Sequence, residues 1–96
     1  GGLKDNIARI LPEHLCAKID LEKLKPNKIF KWMYSKGVNE AEMIKTFNCG
    51  VGFCIIVNKK KYKKIKRHFS KNFEPFVIGK IVKGKKKIEL NGKIRW

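Results

Sequence analysis

Apolar residues recur along the chain in short patterns, each ended by its own punctuation. In "GGLKDNIARILP", Leu3, Ile7, Ile10 and Leu11 fall at helical spacing and Pro12 stops the run. A short helix is predicted there, with Asp5 favourable in its first turn. "LCAKIDL" alternates, with Leu15, Ala17 and Ile19 on one side, and reads as a strand. "PNKIFKWMYSKG" reads as a helix that starts at Pro26 and stops at Gly37, with Ile29, Phe30, Met33 and Tyr34 sharing a face. "NEAEMIKTF" reads as another, with Asn39 as cap, Glu42 at the third helical position and Met43, Ile44 and Phe47 inward. The apolar run Val51–Val57 is strand-sized. "KKKYKKIKRHFSKN" places Tyr62, Ile65 and Phe69 on one helical face and lysines on the others. "FVIGKIV" reads as a strand, "KGKK" as a tight turn and "KIEL" as a strand pairing back in a hairpin. "NGKIRW" suggests one more short strand. The order implies an α+β fold, with helices packed on a mainly antiparallel sheet.

Two glycine pairs stand out against this pattern. Gly1-Gly2 lies at the entrance of the first helix, where unsatisfied N–H groups and a partial positive charge favour an anion. Two glycines before a helix are more often a plain turn. Gly50 and Gly52, in "TFNCGVGFCIIV", lie at a helix exit, where the dipole has the wrong sign for an anion. There a C-terminal glycine cap and close packing of the strand start are the simplest account. Asn48 adds to it, because an amide between a helix end and a glycine turn can both donate to and accept from a polar ligand.

Composition narrows the class. The 96 residues fit one domain or part of one, and 43% hydrophobic with 10% aromatic content argues against disorder. No apolar run approaches the ~18 residues of a membrane span. Cys16, Cys49 and Cys54 show no C-x-x-C spacing, and His14 and His68 lie far apart, so neither a disulfide framework nor a zinc site is indicated. Reduced thiols suit a cytoplasmic protein. Cys49 has no nearby histidine to make it a nucleophile, and nothing converges on Asp20 and Glu22, so no acid–base constellation is self-contained here. The net charge is +16. Residues 1–48 hold 9 basic and 6 acidic side chains; residues 49–96 hold 15 and 2. That asymmetry suits a lysine-rich module binding RNA or another polyanion. Yet 21 of the 24 basic residues are lysines, whereas specific readers of nucleic acid lean on arginine. Lys, Ile and Asn fill 40 positions, and all three have A/T-rich codons, so genome composition is the better account of a lysine-covered surface.

Taken in order, "GGLKDNIARILP", "AKID", "PNKIFKWM", "GVNEAEMIKTFNCGVG" and "FVIGKI" resemble the C-terminal part of aminoimidazole ribonucleotide synthetase, the phosphoribosylformylglycinamidine cyclo-ligase of purine biosynthesis. The resemblance covers nearly the whole chain. It departs at Ala8, where the family usually has proline, near Leu24, where it has tryptophan, and before Gly1, where it has a third glycine. It implies that residues 1–96 form one domain, the last portion of a longer two-domain enzyme, inactive alone. It further implies ATP-dependent ring closure of formylglycinamidine ribonucleotide. ATP and Mg²⁺ are then held mainly by an N-terminal domain, the active site is a cleft between the domains, and the complete enzyme is a cytoplasmic homodimer with no membrane and no nucleic-acid partner. On this resemblance Gly1, Gly2, Leu3 and Asn6 would hold the ribotide phosphate, and Asn48, Gly50 and Gly52 would line the cleft. None of them is implied to bind metal.

Overall fold

The computed structural model describes all 96 residues. The main elements are α1 (Gly2–Ile10), β1 (Leu15–Asp20), α2 (Lys28–Ser35), α3 (Glu40–Thr46), α4 (Tyr62–Lys66), β2 (Gly79–Lys83) and β3 (Lys87–Asn91), with short 3-10 turns at Leu21–Lys23, Lys59–Lys61 and Lys71–Phe73. The class is α+β: helices on a three-stranded sheet of order β2-β1-β3. No helix is long and apolar enough to cross a membrane.

The core forms where α1 and α3 meet one face of β1. Leu3, Ile7 and Leu11 repeat on the inward side of α1, and Ala17 and Ile19 alternate inward from β1. Met43 and Ile44 close the space from α3, and Leu21, Leu24, Cys49 and Ile94 fill its rim. The predicted cap of α3 is present: Asn39 Oδ1 accepts from the Glu42 N–H at 2.9 Å. It satisfies one of the donors that the first helical turn leaves open.

The expected hairpin does not form. β2 pairs antiparallel with β1 and β3 pairs parallel with it, so β1 lies between the two strands that the sequence joins most closely. The turn Gly84–Lys86 crosses the start of β1, and the Gly84 N–H donates to His14 O at 3.0 Å. Two strand spacings are about 9.5 Å, which a connection this short can span when extended.

Other expectations shift with the packing. Residues 51–57 are not a strand; they run exposed beyond Val51, because no neighbouring chain offers its main chain for pairing. The predicted long basic helix shrinks to α4, and Phe69 stays exposed while Tyr62 is half-buried. Lysines three and four apart repel along that segment, and a five-residue helix cannot repay its nucleation through packing. In α2, Phe30 and Met33 reach the core, but Ile29 and Tyr34 flank that face and remain exposed. "NGKIRW" forms no strand. Instead Glu40 Oε1 accepts from the Ile94 N–H at 2.9 Å and from Trp96 Nε1 at 3.2 Å, and the Trp96 ring stacks on Tyr34 at 4.5 Å.

Candidate functional site

Both glycine motifs come to the C-terminal end of α3. Gly2 has φ +68°, and a Cβ there would lie 2.5 Å from Ile44 O and 2.7 Å from Lys45 O. Only glycine fits both that backbone conformation and that contact. The start of α1 is thus pressed against the last carbonyls of α3, an arrangement in which the opposite partial charges of the two helix ends face each other. Leu3 is part of the core, so its side chain is committed to packing. Asn6 is exposed; its Nδ2 donates to Gly2 O at 2.6 Å. Gly1 is exposed and caps α1 without a side-chain hydrogen bond, so the first N–H groups of the helix have no side-chain acceptor.

On leaving α3 the chain turns at once. The Val51 N–H donates to Asn48 O at 3.0 Å, with Cys49 at φ 49° and Gly50 at φ 97° between them. Positive φ at both central residues is the mark of a type I′ turn. Asn48 stabilises it by accepting from the Gly50 N–H through Oδ1 at 2.9 Å. Its amide nitrogen makes no hydrogen bond within the chain, and the residue is exposed. A Cβ on Gly50 would lie 2.5 Å from Lys25 O and 3.0 Å from Asn27 Oδ1, so the turn is seated on the segment before α2. Gly52 differs: it has no positive φ and nothing lies within 4 Å of its Cβ position. The predicted residues therefore divide. Gly2 and Gly50 are fixed by close backbone approaches, Leu3 is core, and Gly1, Asn6, Asn48 and Gly52 are open to solvent.

Cys49 is buried, and its thiol faces Met43 O at 3.6 Å. Burial, and secondarily the Glu40 carboxylate, push this thiol above its ordinary value, which is the wrong direction for a nucleophile. Beside the start of α1 is an open depression of about 510 Å³ between α1, α3 and β3, bordered by Lys4, Asp5, Glu40 and Lys45 over Ile44 and Leu90. Its lysines and carboxylates balance, so it is no polyphosphate cradle. Sequence reasoning missed it because its walls come from three separate elements. No group of three His, Cys, Asp or Glu side chains converges anywhere.

Comparison with known proteins accounts for the conjunction of motifs. The family profile described as "AIR synthase related protein, C-terminal domain" matches residues 1–91. The chain belongs to this family. The human trifunctional purine biosynthetic protein adenosine-3 is 39% identical over 84 residues, covering 85% of the chain. The chain spans only 8% of that relative's length. Both glycine motifs lie within the part that matches the AIR synthase-related family.

Proposed function

We propose that residues 1–96 are the C-terminal portion of an AIR synthase-type ligase whose complete chain uses ATP to close the imidazole ring of formylglycinamidine ribonucleotide, giving aminoimidazole ribonucleotide. The observation that carries this reading is the family match across residues 1–91, which includes "GGL" and "TFNCGVG" in the expected order. The local geometry is compatible with it. The start of α1 leaves N–H groups that suit the ribotide phosphate, and Asn48 leaves an amide donor beyond a turn that holds it in place. On this reading the chain's own task is to bind and orient the ribotide. ATP and Mg²⁺ are held by the rest of the enzyme, which is cytoplasmic and dimeric, and these 96 residues alone are inactive.

The test is made in the complete enzyme carrying residues 1–96 as its C-terminal part, by measuring ATP-dependent formation of aminoimidazole ribonucleotide. Asn48→Asp keeps the oxygen that accepts from Gly50 and removes the amide donor. A fall in kcat/KM of about 10- to 100-fold is expected, with the melting temperature unchanged. Unchanged turnover would remove Asn48 from the site. Absence of product from the folded wild-type enzyme would overturn the reading itself.

A further inference from the structure

The family match stops at residue 91, yet residues 92–96, "GKIRW", are tied closely to the domain. Gly92, at φ 75°, turns the chain away from the end of β3. Ile94 is 5% exposed and completes the core. Arg95 Nη2 lies 3.7 Å from Glu22 Oε1, an exposed pair that adds little by itself. The firmer ties run to α2 and α3. The Ile94 N–H and Trp96 Nε1–H share one carboxylate oxygen of Glu40, and the Trp96 ring lies within 7° of parallel to that of Tyr34. Hydrogen bonds to a charged acceptor are the strong kind.

Glu40 opens α3, and both glycine motifs lie at the other end of that helix. Seven residues make α3 about 10 Å long, a short rigid body. Its buried residues are Met43 and Ile44, and neither lies in its first turn. The Asn39 cap ties that turn only to its own helix, and α2, which precedes it, buries no residue. Residues 92–96 are what join the first turn of α3 to the core, through Glu40 and Ile94. At the far end the Ile44 and Lys45 carbonyls meet Gly2, and the chain enters the Asn48 turn directly after Phe47. A tilt of α3 at Glu40 would therefore be felt at Gly2 and Asn48 together.

We propose that residues 92–96 are a positioning strap: Trp96 and Ile94, through Glu40, hold α3 at the angle that sets Gly2 and the Asn48 turn, and so tune affinity for the ribotide at that end. Trp96 and Glu40 are positioning residues that do not touch the ligand. The proposal rests on the AIR synthase-type reading for the identity of the ligand, but not for the coupling of strap to turn. A strap that favours the binding arrangement strengthens ribotide binding, and the bound ribotide tightens the strap by the same factor. Releasing it weakens binding and leaves the chemical step nearly unchanged.

Two buried thiols supply the readout and its control. Cys49 lies in the turn beyond α3, whereas Cys16 lies in β1 opposite Lys87, at the end of β3 remote from Gly92. Burial and, after it, the Glu40 charge raise the Cys49 thiol, so the test variant keeps Glu40. Trp96→Ala removes the ring stack and one donor to that carboxylate; Trp96→Phe keeps a ring for Tyr34 and loses only the donor. The variants are made in the complete enzyme, and maleimide labelling is read residue by residue by peptide mass. In Trp96→Ala, Cys49 is expected to react about fivefold faster or more, with Cys16 unchanged. The KM for formylglycinamidine ribonucleotide should rise about fivefold with kcat within about twofold, and Trp96→Phe should recover part of both. Should Trp96→Ala not fold, Trp96→Phe carries the same comparison at smaller amplitude. Equal acceleration of Cys16 and Cys49 would mean that the segment merely stabilises the whole fold, and would overturn the proposal. So would an unchanged Cys49 rate, or an unchanged KM in an enzyme that turns over. Selective release of Cys49 in an enzyme that makes no aminoimidazole ribonucleotide would uphold the strap while removing the proposed reaction.

Discussion

The contrast between Gly2 and Gly52 separates glycines that shape the fold from one that does not. A methyl at Gly2 meets two carbonyl oxygens of α3 in a backbone conformation that L residues avoid, so Gly2→Ala should cost about 3 kcal/mol. Gly52→Ala meets nothing and should stay within ~0.5 kcal/mol of wild type. Urea denaturation of the two variants checks both values; equal midpoints would mean that α1 and α3 do not approach as closely as described. The need for glycine at position 50 was legible in the sequence, because the helix end and the turn are local. The close approach at Gly2 was not. The atoms that demand it belong to Ile44 and Lys45, more than forty residues along the chain, and no local pattern announces such a contact. The Asn39–Glu42 cap was readable for the opposite reason: donor and acceptor are three residues apart.

Elements were legible where periodicity and a partner agree. α1, β1 and α3 keep most of their predicted cores, since Leu3, Ile7, Ala17, Ile19, Met43 and Ile44 have one another to pack against, whereas Ile10, predicted with them, ends α1 facing solvent. Val51–Val57 has the composition of a strand but lacks neighbouring main chain, and composition alone cannot supply hydrogen bonds. The segment after β3 shows the reverse. It was expected to be a further strand and forms none, yet Glu40 fixes it through two hydrogen bonds to Ile94 and Trp96. Glu40→Ala should therefore destabilise the protein by about 2–3 kcal/mol, and Glu40→Gln, which keeps an uncharged acceptor, by about 1 kcal/mol. In a Trp32→Phe background, Trp96 fluorescence would report release of the end segment as a red shift. An unshifted spectrum in Glu40→Ala would show that stacking on Tyr34 suffices to hold Trp96.

At the scale of the whole molecule, charge and topology dominate. A net charge of +16 with a lysine-covered second half makes weak retention on any polyanion inevitable, whatever the protein does. Binding to heparin should fall by tenfold or more between 50 and 200 mM salt, and changing Lys59, Lys60 and Lys61 to Gln should reduce the log–log slope by about 2 to 3. A slope unaffected by those changes would place the contact elsewhere. The helix-and-sheet class was legible in the element order. The sheet's wiring was not, because a short turn such as "KGKK" predicts a hairpin unless something intervenes, and here β1 intervenes. That wiring governs what happens while the chain is made. Leu21–Ile78, 58 residues, separate β1 from β2, so at ordinary synthesis rates of about 5–20 residues per second β1 waits roughly 3 to 12 seconds with both of its edges bare. Its two neighbours then emerge almost together. The sheet closes only once residues 79–91 have emerged, and until then nascent β1 is a strand that any passing chain could pair with.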